Sequence, residues 1–183
     1  PTTNENENRL IIIHVYIPIN NPSNREKREE IVEKLEKFVK ENENNKIILQ
    51  GDINEIYNKD QTSNSNRKLN IGSKLHKIIL KYNLKDLTIS ANANTKNKKN
   101  KKDIRATRTT SNTWSQIDVT LINFNEKICN NYIINRSNSI FPYNSDHFLI
   151  AADFDAIDLI GWIPGEGMEP VEVVKYDVDE IKQ

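Results

Sequence analysis

The chain of 183 residues has a single cysteine, Cys129, so no disulfide can close within it and a disulfide-stapled secreted scaffold is excluded. Long apolar runs are also missing. None approaches the ~18 residues that a helix needs to span a bilayer, so no transmembrane segment is expected. The start, Pro1-Thr2-Thr3-Asn4, has no basic stretch followed by an apolar one, so no signal peptide is expected there either. It has no initiator Met, which leads to the expectation of a fragment or a processed chain. Glycine is scarce, with 5 residues, and the formal net charge is zero. These absences together point to an intracellular protein without a membrane partner.

What is present is polar. Apolar residues make up 36% and charged residues 28%, and the length suits one domain with a sizeable core. Asparagine is about one residue in seven, a bias toward Asn, Ile and Lys that fits an AT-rich genome and carries no catalytic meaning. The neutral total hides an asymmetry. From Asp153 onward nine acidic residues face two basic ones, a net of −7 that leaves +7 on the remainder. A mildly basic body suits a polyanion, as it also suits a plain solvated surface.

Leu10 to Tyr16 is a compact β-branched run, read as a strand buried on both faces. Ser23 with Glu26 three residues on is a capping-box pattern, and Ile31, Leu35, Phe38 and Val39 then fall at helical spacing to about Lys40. Lys46 to Gln50 is a second strand, delivering Gly51 and Asp52 at its C-terminal end. Asn58 to Asn70 reads as a polar loop, Leu75 to Tyr82 as a second amphipathic helix, and Leu87-Thr88-Ile89 as a short strand. Residues 96–102 form a lysine-asparagine loop, suited to a phosphate backbone or simply a disordered insert. Ile117–Ile122, Ile128–Ile134 and Phe148–Phe154 make a β-rich second half. Strand–helix alternation predicts an α/β class with helices covering the sheet. The division expected is a polar lead over 1–8, a domain over 9–155, and an acidic tail or linker over 156–183.

Three acidic strings fall at strand ends: Gly51-Asp52-Ile53-Asn54, Ser115-Gln116-Ile117-Asp118 and Ser145-Asp146-His147. Carboxylates, an amide and an imidazole held together at strand ends make a plausible metal-assisted phosphoester-cleaving set. Taken singly each is weak, since Gly-Asp-x-Asn is a common turn with Asx chemistry. His14 reads as part of the sheet, His76 as an exposed helix position, and Trp114 as packing rather than base stacking.

With Tyr16-Ile17-Pro18, these strings resemble, in order, the endonuclease/exonuclease/phosphatase (DNase I-like) superfamily over about residues 9–154. Gly72 to Leu75 running to Leu84-Lys85-Asp86, and Trp114 before Ile117-Asp118, resemble most the endonuclease domains of LINE-type retrotransposons. The resemblance implies a two-sheet α/β sandwich with outer helices, of which this chain carries the C-terminal portion. It implies metal-dependent phosphodiester hydrolysis on DNA, with Mg2+ or Mn2+ as cofactor and a nuclear location for such an enzyme. By resemblance, Asp52 orients or deprotonates water, Asn54 donates a hydrogen bond, Asp118 pairs with His147, His147 stabilises a phosphoryl oxygen, Tyr16 contacts the phosphate, and Asp146 sits on the metal side. The family's metal-holding Glu and an early Asn precede the Tyr16 strand, and no residue here matches them, since Glu5 and Glu7 lie in the polar lead. Impaired activity is therefore expected, with the N-terminal half supplied by another segment. The competing expectations are an inositol-phosphate or lipid phosphatase of the same superfamily, and a non-catalytic mobile-element remnant or interaction module.

Overall fold

A computed structural model describes residues 9–87, 106–135 and 145–160. The polar lead, the 96–102 loop, Thr88 and Ile89, and residues 161–183 of the acidic tail lie outside them. Strand β1 (Leu10–Tyr16) leads through a 3-10 turn (Pro22–Asn24) into helix α1 (Arg25–Glu41) and returns as β2 (Lys46–Asp52), parallel to β1. Helix α2 (Lys74–Lys81) and the short β3 (Lys85–Asp86) follow. Next come the two-residue strands β4 (Arg108–Thr109) and β5 (Trp114–Ser115), then β6 (Asp118–Ile122). The described chain ends with β7 (Cys129–Asn135), β8 (Leu149–Phe154) and a short helix α3 (Ala156–Ile160). The main sheet has the order β1-β2-β6-β3, with β6 antiparallel to β2. β4 pairs with β5 and β7 with β8.

Residues along a strand alternate faces, and the main sheet uses both. Ile47, Leu49, Val119 and Leu121 pack against Val32, Leu35 and Val39 of α1 and Leu75, Ile78 and Ile79 of α2. Ile48 and Ile122 point the other way, with Leu87, onto Phe124 after β6 and Tyr132 and Phe154 of the β7–β8 layer. Each fully buried Ile or Leu contributes about 1.5–3 kcal/mol over its exposed state. The two apolar faces of one sheet thus hold both layers, and the architecture is mixed α/β as expected.

Three local expectations need correction. β1 is not buried on both faces: among the described residues it pairs only with β2, and Ile12 is 64% and Tyr16 62% exposed on its open side. A run of β-branched residues cannot by itself tell a central strand from an edge strand. Ser23 does not cap α1. The Asn21 side chain accepts the Asn24 N–H at 2.9 Å and a hydrogen bond from the Ser23 hydroxyl, because a 3-10 turn precedes the helix. The third strand lies at Lys85–Asp86, just before the Leu87–Ile89 run, with Leu87 turned into the core. The segment over 58–70 is a loop, as expected, and its own side chains tie it down. Gln61 is buried with its side-chain oxygen accepting the Tyr57 and Asn58 N–H groups, and the Asn70 side chain accepts the Ile56 N–H at 3.1 Å.

At the C-terminal side, Lys46 Nζ donates to the carbonyls of Asp158 and Leu159, and Leu159 is buried, so residues 156–160 dock on the start of β2.

Candidate active site

The register of β1, β2 and β6 stacks three rows on the face turned toward β8. Ile12, Ile48 and Ile122 form an apolar row, His14, Gln50 and Thr120 a polar one, and Tyr16, Asp52 and Asp118 the last row at the sheet's end. Directly paired residues share a face and sit about 5 Å apart, so Tyr16, Asp52 and Asp118 are neighbours by construction. A cleft of about 600 Å³ opens over them, lined also by His14, Gln50, Phe148 and Leu149.

Gly51 makes this row possible. Its φ is 145°, and a Cβ there would lie 1.9 Å from the Val15 carbonyl oxygen, so only glycine lets β1 and β2 close up before Asp52. Asn54 has φ 50°, a left-handed conformation that Asn tolerates better than most residues. There its backbone N–H donates to Asp52 Oδ1 at 2.9 Å, and its side-chain amide donates to Asp52 Oδ2 and to the Ile17 carbonyl, each at 3.0 Å. The Asx chemistry of the Gly-Asp-x-Asn turn is therefore present, and it aims the Asp52 carboxylate.

His147 arrives from the other side. An isolated bridge pairs it with Arg108, and the flanking bonds Thr109 N to Asp146 O (2.9 Å) and Phe148 N to Thr107 O (2.7 Å) fix its height. Its Nδ1 lies 3.1 and 3.0 Å from the two oxygens of Asp118. The buried Thr107 hydroxyl accepts the N–H groups of Ile117 and Asp118, both at 3.0 Å, and so joins the Asp118 strand end to the segment carrying His147.

Asp52, Asn54, Asp118 and His147 therefore meet at one mouth, with Tyr16 beside them. Asp146 stands at the rim, where its Oδ2 accepts from Arg108 Nε at 2.7 Å and its Oδ1 lies 3.9 Å from His147 Nε2. His14 faces the cleft as well as belonging to the sheet. His76 is half-buried on α2, stacked on Tyr57 at 4.6 Å, with Nδ1 accepting the Gly72 N–H. Trp114 belongs to the β4–β5 hairpin, its backbone N–H donating to Ser63 Oγ at 2.8 Å.

Burial pushes the Asp52 carboxyl up from its ordinary value. The neighbouring Asp118 charge adds to this, while the Asn54 N–H, His147 and Arg108 oppose it. Arg108 holds Asp146 down, through their hydrogen bond first. Arg67, half-buried in the loop after β2, feels both Asp52 and Arg108. Thr107 and Arg67 had no signature in the sequence, since what surrounds each comes from other segments of the chain.

Asp52, Asp118 and His147 each offer a ligand atom within 4.8 Å of the others, so they are close enough to share a cation. The fit to a hard cation is partial. Both Asp118 oxygens face His147 and both Asp52 oxygens accept from Asn54, whereas Mg2+ takes six ligands, mostly oxygen.

No family model and no curated protein matches the sequence. Solved structures do match the fold. The 3′ phosphatase NExo from Neisseria, bound to a product DNA hairpin, superposes with a TM-score of 0.62 at 15% identity over 79% of this chain and 60% of its own. An AP endonuclease from Archaeoglobus fulgidus gives 0.59 at 16% identity over 79% and 62%. The chain thus spans about three-fifths of the length of these structures. Its fold is the mixed α/β, DNase I-like fold that they share.

Proposed function

We propose that the mouth formed by Asp52, Asn54, Asp118 and His147 descends from, and retains the plan of, a site for phosphodiester hydrolysis on DNA. The observation that carries this is the Asp118–His147 contact at 3.0 Å beside Asp52, three groups brought from distant segments to one sheet end. With Asp118 accepting from Nδ1–H, the protonated imidazolium would present Nε2–H as the donor toward a phosphoryl oxygen. Asp52, held by Asn54, orients or deprotonates the attacking water, and its raised pKa makes it a better base than a free carboxylate. Tyr16 offers its hydroxyl to the phosphate from the cleft wall. Asp146 belongs to the metal side, its Oδ1 being the oxygen that Arg108 does not hold.

Mg2+ or Mn2+ is the cofactor of this reading, with further oxygens from outside the described residues. Because the carboxylates among the described residues supply too few, weak activity is expected. On the sequence strings alone we infer kinship with retrotransposon endonucleases, and a nuclear location would follow. No described helix is long and apolar enough to cross a membrane. A 3′ phosphatase among the similar folds favours a phosphomonoesterase as the second reading.

The test is nicking of supercoiled plasmid with Mg2+ or Mn2+. The expected result is slow nicking that His147→Ala and Asp52→Asn each lower by on the order of 100-fold. Nicking that both substitutions leave untouched would overturn the site. Fast nicking abolished by His147→Ala would keep the site and overturn the expected weakness. Phosphate release from an inositol phosphate without nicking of the plasmid would move the assignment to the phosphatase.

A further inference from the structure

The site's charges do not all cancel locally. Asp118 faces His147, and Asp146 is held by Arg108, which leaves Asp52 and Arg67. Away from the site, the buried Arg28 is paired with Glu55. Arg67 differs: among the described residues its guanidinium has no hydrogen-bond or ion-pair partner, although the side chain is half-buried. Burial and Arg108 both work against its charge, and only Asp52 favours it.

The loop that carries Arg67 is tied within itself. Lys59 Nζ donates to the carbonyls of Ser65 (2.7 Å) and Arg67 (3.2 Å), and the Arg67 N–H donates to Asn64 O at 3.1 Å. The same loop is stapled to the β4–β5 hairpin. Thr62 bridges Ser115, Ser63 N donates to Trp114 O at 3.1 Å, and Gln116 N donates to Gln61 O at 2.8 Å. Arg67 thus stands on a loop fixed both to the strand end carrying Asp52 and to the hairpin carrying Arg108. A half-buried guanidinium that no described anion pairs, on a tied loop and within electrostatic reach of Asp52 and Arg108, is suited to receive one from outside.

We propose that Arg67 is a phosphate-contacting residue of this site, gripping a DNA phosphate from the side of the mouth that Arg108 shares. The inference rests on the DNA-hydrolysis reading and adds to it a positive contact from the loop after β2. A planar guanidinium offers a phosphate two parallel donors, which a lysine cannot reproduce. If Arg67 instead only covers apolar surface with its stem, its replacement would change stability without changing phosphate binding.

Fluorescence anisotropy of a short labelled DNA duplex, with chelator and across a salt series, separates these possibilities. Arg67→Gln should weaken binding by on the order of 10-fold and reduce the log–log salt slope by about 0.9, the share of one phosphate. Arg67→Lys should keep the slope and lose a few-fold in affinity, and this variant decides the matter should Arg67→Gln fold poorly. Lys37→Gln, an exposed change on α1, should alter neither quantity. Folded Arg67→Gln with wild-type affinity and slope, or Arg67→Lys with unchanged affinity, would overturn the contact and leave the nuclease reading intact. Failure of the wild-type chain to bind the duplex at low salt would remove that reading, and this inference with it.

Discussion

Arg108 acts on two carboxyls at once, and that makes the residue scale testable. Its hydrogen bond keeps Asp146 below the ordinary 3.8, and its charge partly offsets the rise that burial imposes on Asp52. The signs differ for stability. The Asp146 pairing stabilises the fold fully above 3.8 and is lost as pH falls through the lowered value. Ionised Asp52 costs stability above its raised value, and that cost is relieved as pH falls through the window between the raised value and 3.8. Arg108→Ala should therefore move both titrations upward, read from the side-chain carboxyl signals by NMR. An unmoved Asp146 would show that the 2.7 Å contact does not persist in solution.

Beneath the mouth, one buried ion pair ties four elements together. Arg28 of α1 binds Glu55, which follows β2, and also donates to the Pro18 carbonyl after β1. Ser73, the N-cap of α2, donates to Glu55 Oε2 at 2.6 Å. Ile17, next to Pro18, supplies the carbonyl that receives the Asn54 amide, so this network supports the turn that aims Asp52. Tyr57 lies against it, its hydroxyl held far above the ordinary tyrosine value by burial and then by the Glu55 charge. Glu55→Ala should destabilise the chain by about 3–5 kcal/mol in chemical denaturation, because it strands a buried guanidinium. Arg28→Met combined with Glu55→Leu should cost clearly less. Equal losses in the two variants would mean that shape, rather than stranded charge, sets the cost.

For the molecule as a whole, the two layers differ in support. β2 and β6 are flanked by strands and covered on one face by two helices, with Ile47, Leu49, Val119 and Leu121 at 2% exposure or less. β7 and β8 pair only with each other among the described residues, and β8 alternates exposed and half-buried positions. Local opening costs least where few apolar contacts are lost. Amide hydrogens of Ile47–Leu49 and Val119–Leu121 should therefore exchange far more slowly than those of Leu149–Phe154. Equal protection in both layers would imply that the two open as one unit. His147 enters from the weaker layer and Asp52 from the stronger, so the site joins parts of unequal stability.

Periodicity and punctuation alone located β1, α1, β2 and α2 to within a few residues, because those signals are local to each segment. They also located the strand ends bearing Asp52, Asp118 and His147, the latter two within their strings. Whether these residues meet was decided elsewhere. Asp52 opposes Asp118 only because β2 and β6 pair in one register, and a slip of one residue would turn one of them to the opposite face. Tertiary pairing also left β1 at the edge of the sheet among the described residues, gave Thr107 its role between Asp118 and the His147 segment, and put Arg67 within electrostatic reach of Asp52 and Arg108. Residue type and spacing determine which side chains stand at strand ends. Register and layer packing, which act between segments up to about a hundred positions apart, determine which of them share one cleft.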